Sequence, residues 1–139
     1  MIMNKTIILL VLVSTFAINA YAEDVSNAYA ATNKASSYIK CGLYAEVANL
    51  YKDNHSNIPE SNANAFRMLA LKHWRIGSKL LGVSSTGDKE IVDFATYLSS
   101  QESVTWDAVP EMNKSSNNGR AAIAAYNNAN CDILLEASN

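Results

Sequence analysis

Cysteine, proline, glycine and histidine are all scarce in this chain: two, two, five and two residues among 139. Each scarcity excludes something. Cys41 and Cys131 lie far apart, so there is no Cys-x-x-Cys redox or zinc pattern. His55 and His73 do not form a His-Glu-x-x-His site. The glycines do not form a dinucleotide-binding set, and no EF-hand occurs. Charge is also sparse, at 17% of residues with a net of −2. No overall basic field draws the chain to nucleic acid or to anionic lipid. The sequence therefore carries no metal, cofactor or catalytic motif.

What is present is apolar and helix-forming. Apolar residues make up 49% of the chain, a composition that folds. Abundant alanine and few helix breakers favour helices. The length suits one domain. The expectation is an all-α fold, a small bundle of about four helices tied by one disulfide.

Met1–Ala22 reads as a secretory signal peptide. Lys5 is its one basic residue, and Ile7–Ile18 is apolar apart from Ser14 and Thr15. Ala20-Tyr21-Ala22 supplies a small-x-small cleavage site. The run is shorter than the roughly 20 apolar residues a bilayer needs, so no stable membrane anchor is expected after cleavage. The mature domain is expected to be 23–139, and losing Lys5 takes its net charge from −2 to −3. This places the protein in the periplasm or outside the cell. In that compartment a Cys41–Cys131 disulfide is expected.

The most apolar stretch after the leader is Tyr38–Tyr51, which contains Cys41. Val25, Ala28, Tyr29, Ala35, Ile39, Leu43, Val47 and Leu50 share one helical arc, predicting a first helix over Asp24–Lys52. From Ser37 a second stripe appears: Tyr38, Cys41, Ala45 and Ala48. A helix apolar on two sides packs on two sides, so this one should be central. Gly42 allows a bend or a close neighbour. Asp53–Glu60 reads as a loop containing His55.

Ser61–Leu81 is the clearest amphipathic helix. Ala63, Phe66, Leu69, Ala70, Trp74, Ile76, Leu80 and Leu81 share one half, with His73 among them. Arg67, Lys72, Arg75 and Lys79 share the other, and no acid occurs from Ser61 to Ser85. Gly82 stands where a helix C-terminal glycine belongs. Gly82–Lys89 misses a P-loop, because Asp88 replaces the lysine, and misses a Gly-x-Ser-x-Gly elbow by one position. Ser85 and Asp88 have capping-box spacing.

Asp88–Ser99 is the expected third helix, with Ile91, Phe94, Ala95 and Leu98 inward. Ser100–Asn118 is polar and carries Pro110, and reads as a long loop with Trp106 as an exposed anchor for a partner. Arg120–Glu136 is the expected last helix, capped by Asn118, its alanines allowing close packing on the Cys41 helix. No heptad is evident.

With chemistry so thin, the leading expectation is an exported, non-enzymatic protein-interaction module: an inhibitor, immunity or exclusion-type factor. Its partner-binding residues are expected to be Arg67, Lys72, Arg75, Lys79 and Trp106, and its partner a protein with an acidic surface. The alternatives are a small periplasmic chaperone or an apolar-ligand carrier with Tyr38, Phe66, Trp74 and Phe94 round a cavity. A third reading is an enzyme built on His73 or on the Glu90/Asp93 pair.

Overall fold

The computed structural model describes residues 4–50, 56–114 and 117–138, with side chains described from residue 21 onward. They form α1 (Asn4–Leu50), α2 (Ser61–Leu80), α3 (Asp88–Asp107), a 3-10 turn (Pro110–Asn113), α4 (Asn118–Asn128) and a short α5 (Cys131–Glu136). No strand occurs among the described residues, and the all-α bundle is as expected. α1 starts earlier than Asp24 and runs unbroken through Ala22. Most of the expected leader's side chains, and Tyr51–His55, lie outside the described residues.

α1 is the axis on which α2, α3 and α4 all pack. From Tyr38 to Ala48 it is buried on nearly every side, as its two stripes predict; Tyr38, Ile39, Cys41, Leu43, Tyr44, Ala45, Val47 and Ala48 are all core. Outside that stretch the first arc holds at Ala28 and Ala35, which are fully buried, and fails at Tyr29 and Leu50, which are exposed.

The α1–α2 seam is made of small residues. A Cβ added at Gly42 would lie 3.3 Å from the Phe66 Cβ and 3.4 Å from the Ala63 carbonyl oxygen. A Cβ added at Gly77 would lie 2.8 Å from Thr32 Oγ1 and 3.3 Å from the Ala28 carbonyl oxygen. The two helices therefore run antiparallel. Ala28, Ala35 and Gly42 on α1 step by seven residues, as do Ala63, Ala70 and Gly77 on α2. Midway along the seam Ala35 and Ala70 are both fully buried. This seven-residue step is inconspicuous in the sequence because it is written in alanine and glycine instead of the usual large apolar residues.

α2 ends as Gly82 predicts. Gly82 has φ 68°, and Val83 N–H donates to the Ser78 carbonyl at 3.0 Å while Gly82 N–H donates to Lys79 at 3.1 Å. This closes a Schellman motif. The expected capping box at Ser85 does not form. Gly87 is the N-cap of α3 without a side-chain cap, and Ser85 Oγ donates to Asp93 Oδ2 at 2.6 Å.

The expected Ser100–Asn118 loop is a correction. α3 continues to Asp107, and the polar residues Gln101 and Thr105 prolong its inner face. Thr105 is buried because its hydroxyl donates to the Gln101 carbonyl at 2.8 Å, one turn back. The inner face also differs from expectation. Phe94, Tyr97 and Leu98 pack on the core, whereas Ile91 is 68% exposed. The Tyr97 hydroxyl sets this rotation: it donates to the Thr32 carbonyl at 3.3 Å and shares a hydrogen bond with Ser36 at 2.9 Å.

The last helix is two helices. Asn130 takes a left-handed conformation at φ 52°, which asparagine tolerates, and breaks the chain between α4 and α5. The N-cap of α4 is Asn117, and Asn118 is its first residue. Cys131 opens α5 and is bonded to Cys41 with a Cα–Cα distance of 5.6 Å. α5 is further held by Tyr38 and Ser138, whose hydroxyls share a hydrogen bond at 2.7 Å. It is also held by Tyr126, whose hydroxyl donates to Asp132 Oδ1 at 2.6 Å. The same hydroxyl accepts from Asn62 Nδ2 of α2 at 3.0 Å, so one buried phenol joins three helices.

Two stability outcomes follow from these contacts. Gly77→Ala should lower stability by about 1 kcal/mol, since overpacking of about 1–3 kcal/mol outweighs the helix propensity alanine returns. Adding Thr32→Ala should recover most of it, as read by urea unfolding of both variants. Tyr126→Phe should cost about 1–3 kcal/mol by stranding Asn62. Burial, then the Asp132 hydrogen bond, pushes the Tyr126 pKa up to about 12. In the unfolded chain a tyrosine titrates at about 10. The wild type's contribution from this group is therefore full below pH about 10 and is lost as the pH rises through about 12. Tyr126→Phe should flatten that alkaline decline in a series of unfolding curves.

Candidate partner-binding surface

α2 gives its core residues Ala63, Phe66, Ala70 and Gly77 to the seam, so the opposite side of the helix faces outward. Met68 is 66% and Ile76 42% exposed, and Lys72 and Lys79 are exposed as well. At 100° per residue, Met68, Lys72, Arg75, Ile76 and Lys79 fall within an arc of about 100°. Ile76, expected inward, therefore faces out, since the small-residue seam narrows the buried arc. Leu81 is exposed for the same reason, one residue past the helix end.

The four expected basic residues divide into two kinds. Arg67 leans off the stripe and pairs with Glu46 of α1 and, at 3.2 Å, with Glu102 of α3. Burial works against its charge, and the hydrogen bonds it donates to Glu102 and Glu46 more than offset this, so it is held charged above the ordinary arginine range. Arg75 forms a bidentate pair with Glu90, at 2.7 and 2.9 Å. Lys72 and Lys79 have no ion pair among the described residues. The acids that neutralise Arg67 and Arg75 come from α1 and α3. A helix scanned in isolation does not reveal them.

Trp106 is a correction. It lies in the last turn of α3, half-buried against the core, and is not an anchor on a loop. Cys41 and Cys131 are joined as expected and are buried.

His73 is half-buried, its ring centroid 5.3 Å from that of Tyr38. Burial, then the charges of Lys34 and Lys72, holds its pKa below the ordinary histidine value. Lys34 on α1 thus joins the exposed lysines next to the α2 stripe, which sequence spacing did not suggest. Glu90 is held below the usual carboxylate range by its Arg75 hydrogen bond, and Asp93 by its hydrogen bonds from Lys89 and Ser85. Carboxyls kept ionised by separate partners do not share a proton as an acid/base pair would.

The rings expected to surround a cavity pack against other rings, tilted or edge to face. Phe66 has no exposed surface and lies 6.3 Å from Tyr38 and 6.2 Å from Tyr126, and Trp74 lies 5.4 Å from Phe94. Surface clefts lie elsewhere. One of about 490 Å³ runs beside the disulfide between Ser37, Lys40, Ile133 and Leu134, and one of about 370 Å³ is lined by Glu46, Asn64 and Arg67. Among the described residues no group of His, Cys, Asp and Glu is arranged to hold a metal, and no helix is long and apolar enough to cross a membrane.

Compared with known proteins, the chain matches no family model, no curated protein and no solved structure.

The lysines give a direct readout. His73 should titrate below about 6.5 by NMR, and Lys72→Gln should raise its pKa by removing one repelling charge. Because the folded value lies below the unfolded one, this histidine's contribution to stability is full above the unfolded value. It is lost as the pH falls through the folded value.

Proposed function

We propose that this chain is an exported, non-enzymatic protein-interaction module of the inhibitor, immunity or exclusion type, acting outside the cytoplasm on a partner with an acidic surface. The observation that carries the reading is the outer face of α2. Lys72 and Lys79 stand there without an ion pair among the described residues, on a chain whose net charge is −2. Arg67 and Arg75 belong to the scaffold, and Trp106 to the packing of α3. The disulfide is compatible with an oxidising compartment, and the leader supplies the route to it. The bundle's contribution is to hold the face rigid, which reduces the ordering cost of binding.

The carrier reading has surface clefts to support it among the described residues, since the aromatic rings fill the core they were expected to line. The enzyme reading has a half-buried His73 and two separately paired carboxylates.

The test is capture of the partner from the extracytoplasmic fraction with the mature protein, repeated with Lys72→Glu and Lys79→Glu combined. The reversal should slow association and invert its salt dependence, so that added salt speeds binding instead of slowing it. Recovery by a complementary acid-to-lysine change in the partner identifies the contact. Capture that is unchanged by the reversal at low salt refutes the reading.

A further inference from the structure

We propose that the outer face of α2 docks an amphipathic acidic helix, with Met68 and Ile76 receiving two apolar side chains and Lys72 and Lys79 receiving carboxylates. The inference rests on the acidic-partner reading above and adds the partner element's shape and its apolar half. Met68, Lys72, Ile76 and Lys79 alternate apolar and basic along one side of the helix. Met68 to Lys79 covers about 16 Å, three helical turns. Single exposed apolar side chains are ordinary on a protein surface. Here two of them, 66% and 42% exposed, stand two turns apart with an unpaired lysine between them. Lysine at both apolar positions would serve a purely electrostatic contact better. Methionine is flexible and adapts to a partner's side chain, which suits it to such a surface.

A helix is the element that matches this spacing. Its own side chains recur at three, four, seven and eight residues, so two apolar residues eight apart reach Met68 and Ile76 together. Carboxylates one turn beyond each then face Lys72 and Lys79. Arg75, closed off by Glu90 at 2.7 Å, borders the strip without needing a partner acid. Lys34 on α1 adds a third exposed positive charge on the Lys72 side. An anionic membrane is the less favoured occupant. Polybasic membrane sites gather about four to eight lysines and arginines, and on this face, among the described residues, those without an ion pair are Lys34, Lys72 and Lys79.

The test uses the whole mature protein and a synthetic helix-stabilised peptide carrying two leucines eight positions apart, each followed one turn later by glutamate. A second peptide replaces both leucines with serine. Fluorescence anisotropy at low salt should show the leucine peptide binding at least tenfold tighter than the serine peptide. Met68→Ser with Ile76→Ser should weaken the leucine peptide at least tenfold, and so should Lys72→Glu with Lys79→Glu. Arg120→Glu, on α4, should leave binding unchanged. These side chains point away from the core, and circular dichroism verifies that each variant remains helical. Equal binding of the two peptides overturns the amphipathic helix while leaving an acidic partner in place. Binding of neither peptide overturns the inference too, and the partner capture described above then decides the broader reading separately. Binding of phosphatidylglycerol vesicles that the leucine peptide does not displace overturns it in favour of a lipid surface.

Discussion

The close approach of α1 and α2 is the constraint on which the rest of this bundle depends. Gly42 and Gly77 sit near the two ends of the seam, each with a backbone carbonyl of the other helix within 3.4 Å of where a Cβ would stand. Backbones this close exchange side-chain burial for dense contact between the helices themselves. The large side chains are displaced to the flanks. Phe66 and Tyr38 fill one flank, and Trp74 with Phe94 and Tyr97 fills another. The narrow seam also leaves Met68 and Ile76 outside, so the apolar part of the proposed docking face is a consequence of how tightly α2 packs.

The disulfide acts at the other end of the chain. α5 has six residues, too few to be a stable helix alone. It is held by Cys41–Cys131, by the Tyr38–Ser138 hydrogen bond and by Asp132 on the Tyr126 hydroxyl. A bridge across 90 residues removes roughly 4–5 kcal/mol of loop entropy from the unfolded chain in the polymer model. The bond lands on the most buried stretch of α1, so the terminal segment is fastened directly to the axis of the bundle.

Arginine and lysine are used for different tasks. Arg67 joins three helices through Glu46 and Glu102, and Arg75 holds the start of α3 through Glu90. A planar guanidinium with several fixed donors suits such bridging. Lys72 and Lys79, with compact charges on flexible stems, are left in solvent. The positive stripe visible in the sequence is therefore half scaffold and half free surface, and only the free half can steer a partner from a distance.

The sequence by itself determined the helical class, the Cys41–Cys131 pairing, the central place of Tyr38–Ala48 and the Gly82 helix end. Each of these follows from local features: periodicity, the presence of two cysteines and no others, or a backbone angle that glycine accepts. Only the tertiary structure decided the extent of α3, the break at Asn130, the place of Trp106 and the fate of Arg67 and Arg75. Gln101 and Thr105 look like loop residues until a neighbouring helix buries them and a back-bonded hydroxyl satisfies Thr105. The Ala28–Ala35–Gly42 seam looks like composition until α2 lies against it. The charge state of α2's outer face depends on Glu46, Glu90 and Glu102, brought by other helices. A residue's type and spacing set what it can do, but whether a charge is spent inside the fold or left for a partner depends on neighbours distant in sequence.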